Sequence, residues 1–406
     1  MYKPVWMTGV LAALMGAVPG SAQGTDQDMF KFSGFGTFAA VHSSEKNADF
    51  TTNFSQPKGP GFTRSTDLGL DSRLGLQVDL RFTEGFSAVV QAISERRYDN
   101  SYDPYLNMAH LKFQALPGLA FRAGRIPYSA YLISDYQKVG YATPWARPPV
   151  EVYQFNPITS VDGVDLTWQA TAGPVAFSGQ VLGGSTTARV PSAAGDAKFK
   201  GDSLGSASLA AAYGSATFRV FYLQMKGSFD SSAVDGPAGP YALLRTLPPA
   251  FGGNPALADQ YQIKKDRITY LSLGYNYDPG DWFVMAEAAR TGGDENQLLH
   301  TTAGYVTGGY RFGAWTPYLT AGWKKTDSPT SHANPIVNAI ISGQDHAQNS
   351  VSVGLRWDFH KNLAAKAQFD RVKNAAGSYG ALVNIHPGFK TGETYNLATL
   401  ALDFVF

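Results

Sequence analysis

The amino-acid sequence predicts an all-β fold, a transmembrane antiparallel β-barrel of sixteen strands. Apolar and polar residues alternate with a period of two in repeated segments of about ten residues, as in strands that separate lipid from water. Charged residues make up only 16% of the chain, whereas soluble domains average about 25%. After the N-terminal leader, no stretch approaches the ~20 apolar residues of a spanning helix. Because only helices and closed barrels satisfy their backbone groups within lipid, these observations favour a barrel.

The clearest alternation lies in residues 67–82. One face would carry Leu68, Leu70, Leu74, Leu76, Val78, Leu80 and Phe82, and the other Asp67, Asp71, Arg73, Gln77, Asp79 and Arg81. Residues 350–359 repeat the pattern, with Val351, Val353, Leu355, Trp357 and Phe359 opposite Ser350, Ser352, Arg356 and Asp358. A helix would mix the two sets, whereas a strand separates them.

The strands follow one another at hairpin spacing, and their connections alternate between short and long. The sixteen are expected to begin near Phe30, Asp67, Phe86, Pro104, Leu119, Val161, Val175, Leu204, Ala216, Arg267, Trp282, Thr301, Thr316, Asn349, Leu363 and Glu393. The longest connection would cover residues 227–266. In such barrels the short turns face the periplasm and the long loops face outside, and an even strand count places both termini in the periplasm.

The chain begins with the features of a secretory signal peptide. Lys3 provides the positive charge, residues 5–18 form a short apolar run, and Gly20 and Ala22 are small residues before a cleavage site. We therefore predict two segments, a signal peptide over residues 1–22 and a single barrel domain over residues 23–406.

Several function classes are disfavoured by the composition. The chain has no cysteine, which excludes disulfides, thiolate metal sites and cysteine nucleophiles. Removing a leader that holds Lys3 and no acid leaves 32 basic and 32 acidic residues, so no net charge favours nucleic-acid binding. No Gly-x-Ser-x-Gly elbow is present, and of seven histidines only His110 falls inside a predicted strand. We predict no catalytic residue, no metal site and no cofactor, and therefore not an enzyme.

Specific stretches resemble the Gram-negative porins. The opening run Phe32–Thr37 and the terminal Phe406 carry this resemblance together with the strand count. The run 139–153, with Pro144-Trp145 and Arg147-Pro148-Pro149, is similar to a lesser-characterised proteobacterial porin branch. The resemblance implies a water-filled diffusion channel in the bacterial outer membrane, with lipid and lipopolysaccharide around it and a homotrimer as a common assembly. Phe406 would be recognised by the outer-membrane assembly machinery.

In such porins the loop after the fifth strand, the third long loop, folds into the barrel and narrows the pore. Here it would span residues 127–160. Its aromatic residues would be costly on an exposed loop but can pack against a barrel wall, and its prolines stiffen it. They are Tyr128, Tyr131, Tyr136, Tyr141, Trp145 and Tyr153, with Pro144, Pro148 and Pro149. The alternative is an ordinary external loop that packs on its neighbours or on another subunit.

A narrowed pore predicts charged residues at the constriction. The wall candidates are Arg73, Glu95, Arg97, Lys112 and Arg122, and the loop candidates are Asp135, Lys138, Arg147 and Glu151. Opposed acids and bases would set size and charge selection for small hydrophilic solutes, and the basic excess favours anions. Each charge could also be a lumen residue without a special role. A substrate-specific channel, or a non-conducting barrel acting as adhesin or structural protein, remains the alternative function.

Overall fold

The computed structural model describes residues 29–154, 158–192, 195, 197–294, 300–342 and 344–406. The predicted signal peptide lies outside the described residues. The barrel strands are β1 Phe30–Ser43, β2 Arg73–Arg81, β3 Phe86–Glu95, β4 Tyr105–Leu116, β5 Leu119–Pro127, β6 Ser160–Ala172, β7 Val175–Arg189, β8 Lys198–Tyr213, β9 Ala216–Asp230, β10 Lys264–Tyr277, β11 Trp282–Gly293, β12 Thr301–Tyr310, β13 Trp315–Thr326, β14 Gln348–His360, β15 Leu363–Asn374 and β16 Thr394–Val405.

These strands form one closed antiparallel barrel, so the predicted fold class is confirmed. Each strand pairs with the next along the chain, and β16 returns to β1 with Phe35 opposite Val405 and Ser43 opposite Leu397. Closure removes the exposed strand edges that lipid could not satisfy. Among the described residues, no helix combines the length and the apolar character needed to cross a membrane.

The second predicted strand differs from the structure at its start. Thr66–Asp67 pairs with the end of β1, but β2 begins only at Arg73. Between these pairings, five residues (68–72) face three residues of β1 (38–40), so the strand bulges. A bulge bends the strand and re-aims its side chains. As a result Leu70 and Asp71, adjacent in sequence, are both buried.

The two ends of the barrel have different connections. At one end tight turns use glycine in the left-handed region, as at Gly173 and Gly214, where φ is +56°. At the other end the long loops contain helices and short strands. The helices are α1 Val150–Tyr153, α2 Ser232–Asp235, α3 Pro240–Thr246, α4 Pro255–Tyr261 and α5 Pro335–Ser342, with 3₁₀ turns Ser134–Tyr136, Gly140–Ala142 and Pro249–Phe251; strands Asp49–Phe50 and Leu382–Val383 pair with each other.

The longest loop, predicted to cover residues 227–266, is shorter than predicted and contains helices. It covers residues 231–263, because β9 and β10 extend further than expected. Its helices α3 and α4 pack against α5 through Tyr241, Leu244 and Val337. This apolar cluster gives the loop its own small core outside the barrel.

The outer surface follows the predicted alternation. On β14, Val351 and Val353 are exposed, while Ser350 and Ser352 are buried. Aromatic residues gather on the outside near the tight turns, including Trp315 and Trp357, whose rings stack with centroids 4.9 Å apart. An apolar band bordered by aromatic rings is typical of a barrel wall that faces lipid.

Candidate functional site

The described residues of the third long loop, 128–154 and 158–159, lie inside the barrel. Trp145 is only 1% exposed. Its indole Nε1 donates hydrogen bonds to Thr307 Oγ1 at 3.0 Å and Thr320 Oγ1 at 3.2 Å, on the inner faces of β12 and β13. Its ring also meets Tyr305 edge-on. The predicted insertion of this loop is therefore observed.

One side of the barrel interior is apolar where the loop rests. We call this surface the loop-binding wall. Its residues are Phe221, Leu223, Met225, Ile268, Tyr270, Phe283, Met285, Tyr305 and Tyr318, on β9 to β13. The loop contributes Tyr128, Tyr131, Leu132, Ile133, Trp145, Val152 and Tyr153 to the same cluster. Burying this apolar surface stabilises the inserted position of the loop.

A buried glutamate fixes the loop within this apolar contact. Glu287 of β11 accepts a hydrogen bond from the backbone N–H of Leu132 at 2.9 Å and another from the hydroxyl of Tyr153. The hydroxyl of Tyr305 donates to the same carboxyl at 2.7 Å. Because a buried carboxyl is stable only when it is hydrogen-bonded, Glu287 ties two separate points of the loop to the wall.

Arg147 forms a second anchor, away from the apolar cluster. Its guanidinium bonds to Asp71 at 2.8 Å, Asp370 at 3.1 Å and the hydroxyl of Thr399 at 2.9 Å. Burial opposes the charged form, but the two carboxylates raise the pKa of Arg147 above its ordinary value. The bulge before β2 brings Asp71 to this position. Arg147 thus ties the loop to two places on the barrel. One is the bulge before β2, the neighbour of β1, and the other is β15, the neighbour of β16.

Two wall cations bind the backbone of the loop. Arg356 donates to the carbonyl oxygens of Tyr141 and Thr143 at 2.7 and 2.6 Å. Lys366 donates to the carbonyl oxygens of Gly140 and Trp145 at 2.7 and 2.8 Å. Carbonyl groups on an irregular loop need donors once they are buried, and these cations supply them.

The opposite side of the interior is hydrophilic. We call it the polar wall. Its residues are Arg73, Gln77, Asp79, Gln91, Glu95, Asn107, His110, Lys112, Arg122 and Asp165, on β2 to β6. At its outer end Glu95 lies between two cations, with Lys138 Nζ at 2.5 Å and Arg73 Nε at 3.8 Å. Burial lowers the pKa of Lys138, and the Glu95 carboxylate opposes that shift.

Of the remaining predicted charges, Arg122 and Lys112 lie further along the polar wall, whereas Asp135 lies next to β9, a strand of the loop-binding wall. Arg122 pairs with Asp165, whose carboxylate also accepts from Gln180 at 2.6 Å. Lys112 has no ion-pair partner within the part of the chain that the structure describes. Asp135, on the loop, lies 3.6 Å from Arg219.

A cavity of about 380 Å³ opens between the loop and the polar wall. Five predicted constriction residues line it together, Arg73, Glu95, Arg97, Lys138 and Arg147. The lining residues that sequence reasoning missed include Tyr98 and Arg189. Both belong to the long-loop end, where the alternation that identified inward-facing residues stops.

Arg147 and Glu151 differ from the other predicted residues in their burial. Arg147 lines the cavity but is held by Asp71 and Asp370, and Glu151 does not line this cavity. Arg147 is 4% exposed and Glu151 is 1% exposed. Glu151 accepts a hydrogen bond from Gln348 at 2.7 Å beneath the loop. The partners of both side chains lie outside the loop-binding wall, in the bulge before β2 and on β14, β15 and β16. Their acidic and amide partners were not predicted, because nothing in the local sequence links positions so far apart.

Comparison with known proteins identifies similar chains. A family model described as Gram-negative porin matches residues 10–377. No curated protein sequence gives a significant match. Similar solved structures include an anion-selective porin from Comamonas acidovorans (12% identity, 93% of this chain and 99% of that chain, TM-score 0.55), OmpT of Vibrio cholerae in its trimer form (13%, 93% and 100%, 0.52) and OmpF of Salmonella typhi in complex with daunomycin (12%, 93% and 97%, 0.53). At these identities the likeness concerns the fold.

Proposed function

Since this chain belongs to the Gram-negative porin family and therefore forms a channel in the bacterial outer membrane, we propose that it conducts small hydrophilic solutes passively and selects them by size and charge. The constriction lies between the third loop and the polar wall. The observation that carries the proposal is the charged cavity left beside the inserted loop. The family and the fold point to a channel rather than an enzyme.

Size selection depends on a loop that stays in place. The apolar contact of Trp145, the Glu287 hydrogen bonds and the Arg147 ion pairs fix it at three separate points. Arg147 and Glu151 accordingly act as positioning residues that hold the loop. Solutes would meet Arg73, Glu95 and the other cavity-lining charges instead.

Charge selection follows from the excess of cations along this passage. Arg73 and Lys138 share Glu95, and Lys112 further along is a lone positive charge among the described residues. A lining with more cations than acids concentrates anions and repels cations. We therefore propose anion preference. The anion-selective porin from Comamonas acidovorans has the same fold, which agrees with this proposal.

We further propose that the channel works as a homotrimer. OmpT of Vibrio cholerae, which has the same fold, is described in a trimer form. Here β1 and β16 expose Phe32, Phe38 and Phe406 on the outside, a surface that either lipid or another subunit could cover. Chemical cross-linking of the protein in detergent should trap a species of three chains. Exclusively monomeric protein would refute the trimer.

The mature protein should begin after the predicted signal peptide. We propose that residues 1–22 are removed on export and that residues 23–406 form the barrel. Phe406 would then serve recognition by the assembly machinery. N-terminal sequencing of protein isolated from outer membranes should begin at Gln23, and a protein that still carries Met1 would refute cleavage.

Single-channel recording of the refolded protein in a planar bilayer tests the proposed channel. The wild type should give stable conductance steps. Deletion of residues 134–150 removes the anchors at Trp145 and Arg147 and should enlarge the steps. Steps of unchanged size would place the constriction elsewhere, and a folded barrel without conductance would refute the channel.

A further inference from the structure

Two arginines at the mouth of the cavity form no ion pair with any carboxylate of the described residues. Arg97 follows β3, Arg189 ends β7, and both line the cavity. Tyr98 contacts both: the guanidinium carbons of Arg97 and Arg189 lie 5.7 and 5.4 Å from its ring centroid. Arg189 also donates to the Tyr98 hydroxyl at 2.8 Å. Among the described residues, no carboxylate comes within 4.0 Å of either guanidinium.

The neighbouring Arg96 shows what a paired arginine looks like in this loop. It is buried and binds Asp67 through two hydrogen bonds of 2.9 and 2.8 Å. Arg97 instead donates only to the backbone carbonyl of Asp103, at 3.4 Å. The carboxylate of Asp99 is exposed and accepts from Ser101. The charges of Arg97 and Arg189 therefore remain available to a molecule in the cavity.

Aromatic rings hold these cations in position. Arg97 lies over Tyr105 as well as Tyr98, at 5.9 Å from the Tyr105 ring centroid. The Tyr105 hydroxyl is itself fixed by a hydrogen bond of 2.6 Å to Glu95. Cation–π contacts restrict the long arginine side chains, so less conformational entropy is lost when a ligand binds.

We propose that Arg97 and Arg189, positioned by Tyr98, bind small organic carboxylates at the mouth of the channel. This inference rests on the proposed function, since the site serves passage only if the barrel conducts. The planar guanidinium group matches a carboxylate with two parallel hydrogen bonds. The cavity of about 380 Å³ lies within the ~300–1,000 Å³ of small-molecule sites. Deeper inside, Lys138 and Arg73 offer the anion its next positive charges.

Block of the ion current by benzoate tests the site, with benzamide as the neutral probe of the same shape. Wild-type channels in a planar bilayer should show saturable block by benzoate and none by benzamide. The double variant Arg97→Gln/Arg189→Gln should weaken the benzoate block about tenfold, because charge-assisted hydrogen bonds are lost. Arg97→Lys/Arg189→Lys keeps the charge and should restore part of the block.

The matched control is Arg267→Gln, which removes an exposed cation at the outer end of β10, outside the cavity. It should keep the wild-type block. Conductance steps with equal benzoate block in the wild type and the double variant would overturn this site and leave the channel intact. Absence of any steps from folded wild-type protein would instead overturn the channel itself. Circular dichroism confirms that each variant retains the barrel.

Discussion

The two sides of the barrel interior are built for different purposes. The loop-binding wall turns Phe221, Phe283 and Tyr305 inward, where water would otherwise meet them. The polar wall turns Gln77 and Arg122 inward, as expected of a wetted surface. Apolar residues inside a barrel are stable only when something covers them, and here the third loop does. The interior is therefore divided into a packed half and an open half.

This division explains why only one side can serve as a pore. On the packed side, wall and loop form one hydrophobic core that excludes water. On the open side, inward side chains form hydrogen bonds among themselves, such as Gln91 to Gln77 at 2.8 Å, and others such as Arg73 and Glu95 line the cavity. Polar groups at the edge of an aqueous passage keep their access to water, so their burial is not penalised. Perturbing each half should therefore produce different effects.

The largest effect should come from removing the charged clamp of the loop. Arg147→Met would leave Asp71 and Asp370 buried without their cation. Breaking a buried ion pair in this way costs about 3–5 kcal/mol in the free energy of unfolding. Denaturant unfolding in detergent micelles measures it. The matched variant Arg267→Met breaks an exposed pair with Asp294 and should cost no more than about 1 kcal/mol; equal losses would contradict the clamp.

The next test compares the two walls directly. Phe221→Ala empties a fully buried site on the loop-binding wall and should cost about 3–5 kcal/mol. Gln77→Ala removes hydrogen bonds from the polar wall and should cost about 0.5–1.5 kcal/mol. Thermal or denaturant unfolding of both variants gives the comparison. If Gln77→Ala proved the more destabilising, the packed half would not be the main source of stability.

A pH titration sharpens the comparison at the outer end of the packed side. His346 donates from Nδ1 to the carbonyl of Gly380 at 2.6 Å. Burial, with the nearby charge of Lys324, lowers the pKa of His346 to about 4. In the unfolded chain the imidazole of His346 takes up a proton near pH 6.5, whereas in the folded chain it does so only near pH 4. The free energy of unfolding should therefore fall as the pH drops between these values. Each pKa unit of difference between the folded and the unfolded chain corresponds to about 1.4 kcal/mol in the free energy of unfolding.

His346→Gln should flatten the pH dependence of the unfolding free energy below pH 6.5. An unaltered slope in His346→Gln would show that other groups cause the dependence.

The smallest effect concerns charge on the open side. Lys112→Glu reverses the charge of a lysine on the polar wall. Two unit charges close together in water interact with ~1 kcal/mol, which corresponds to a factor of about five. The anion-to-cation permeability ratio should therefore shift about fivefold toward cations. Reversal potentials in a salt gradient measure the ratio. Lys325→Glu makes the same charge change on an exposed side chain of β13 and should have little effect. An equal shift in both variants would mean that selection depends on overall charge.

Much of this architecture was predictable from sequence, but not all of it. The alternation of residues 350–359 identified β14 and its two faces. The aromatic and proline content of residues 127–160 indicated an inserted loop. The clamp was not predictable, because Arg147 lies 76 residues from Asp71 and 223 from Asp370. The alternation placed Asp71 on the polar face correctly, but it placed Leu70 on the opposite face, and the bulge before β2 buries both.

The sequence by itself determined the barrel, its sixteen strands and the presence of a loop too aromatic to remain in water. It did so because a period of two is a local property that each strand carries alone. Only the tertiary structure decided which half of the interior the loop covers and which charges remain free. Burial and ion pairing are properties of residues brought together from distant strands. Arg147 and Arg97 therefore look alike as basic residues in the sequence, and both line the cavity. Arg147 is bound by two buried carboxylates and holds the loop, whereas Arg97 has no carboxylate within 4.0 Å among the described residues.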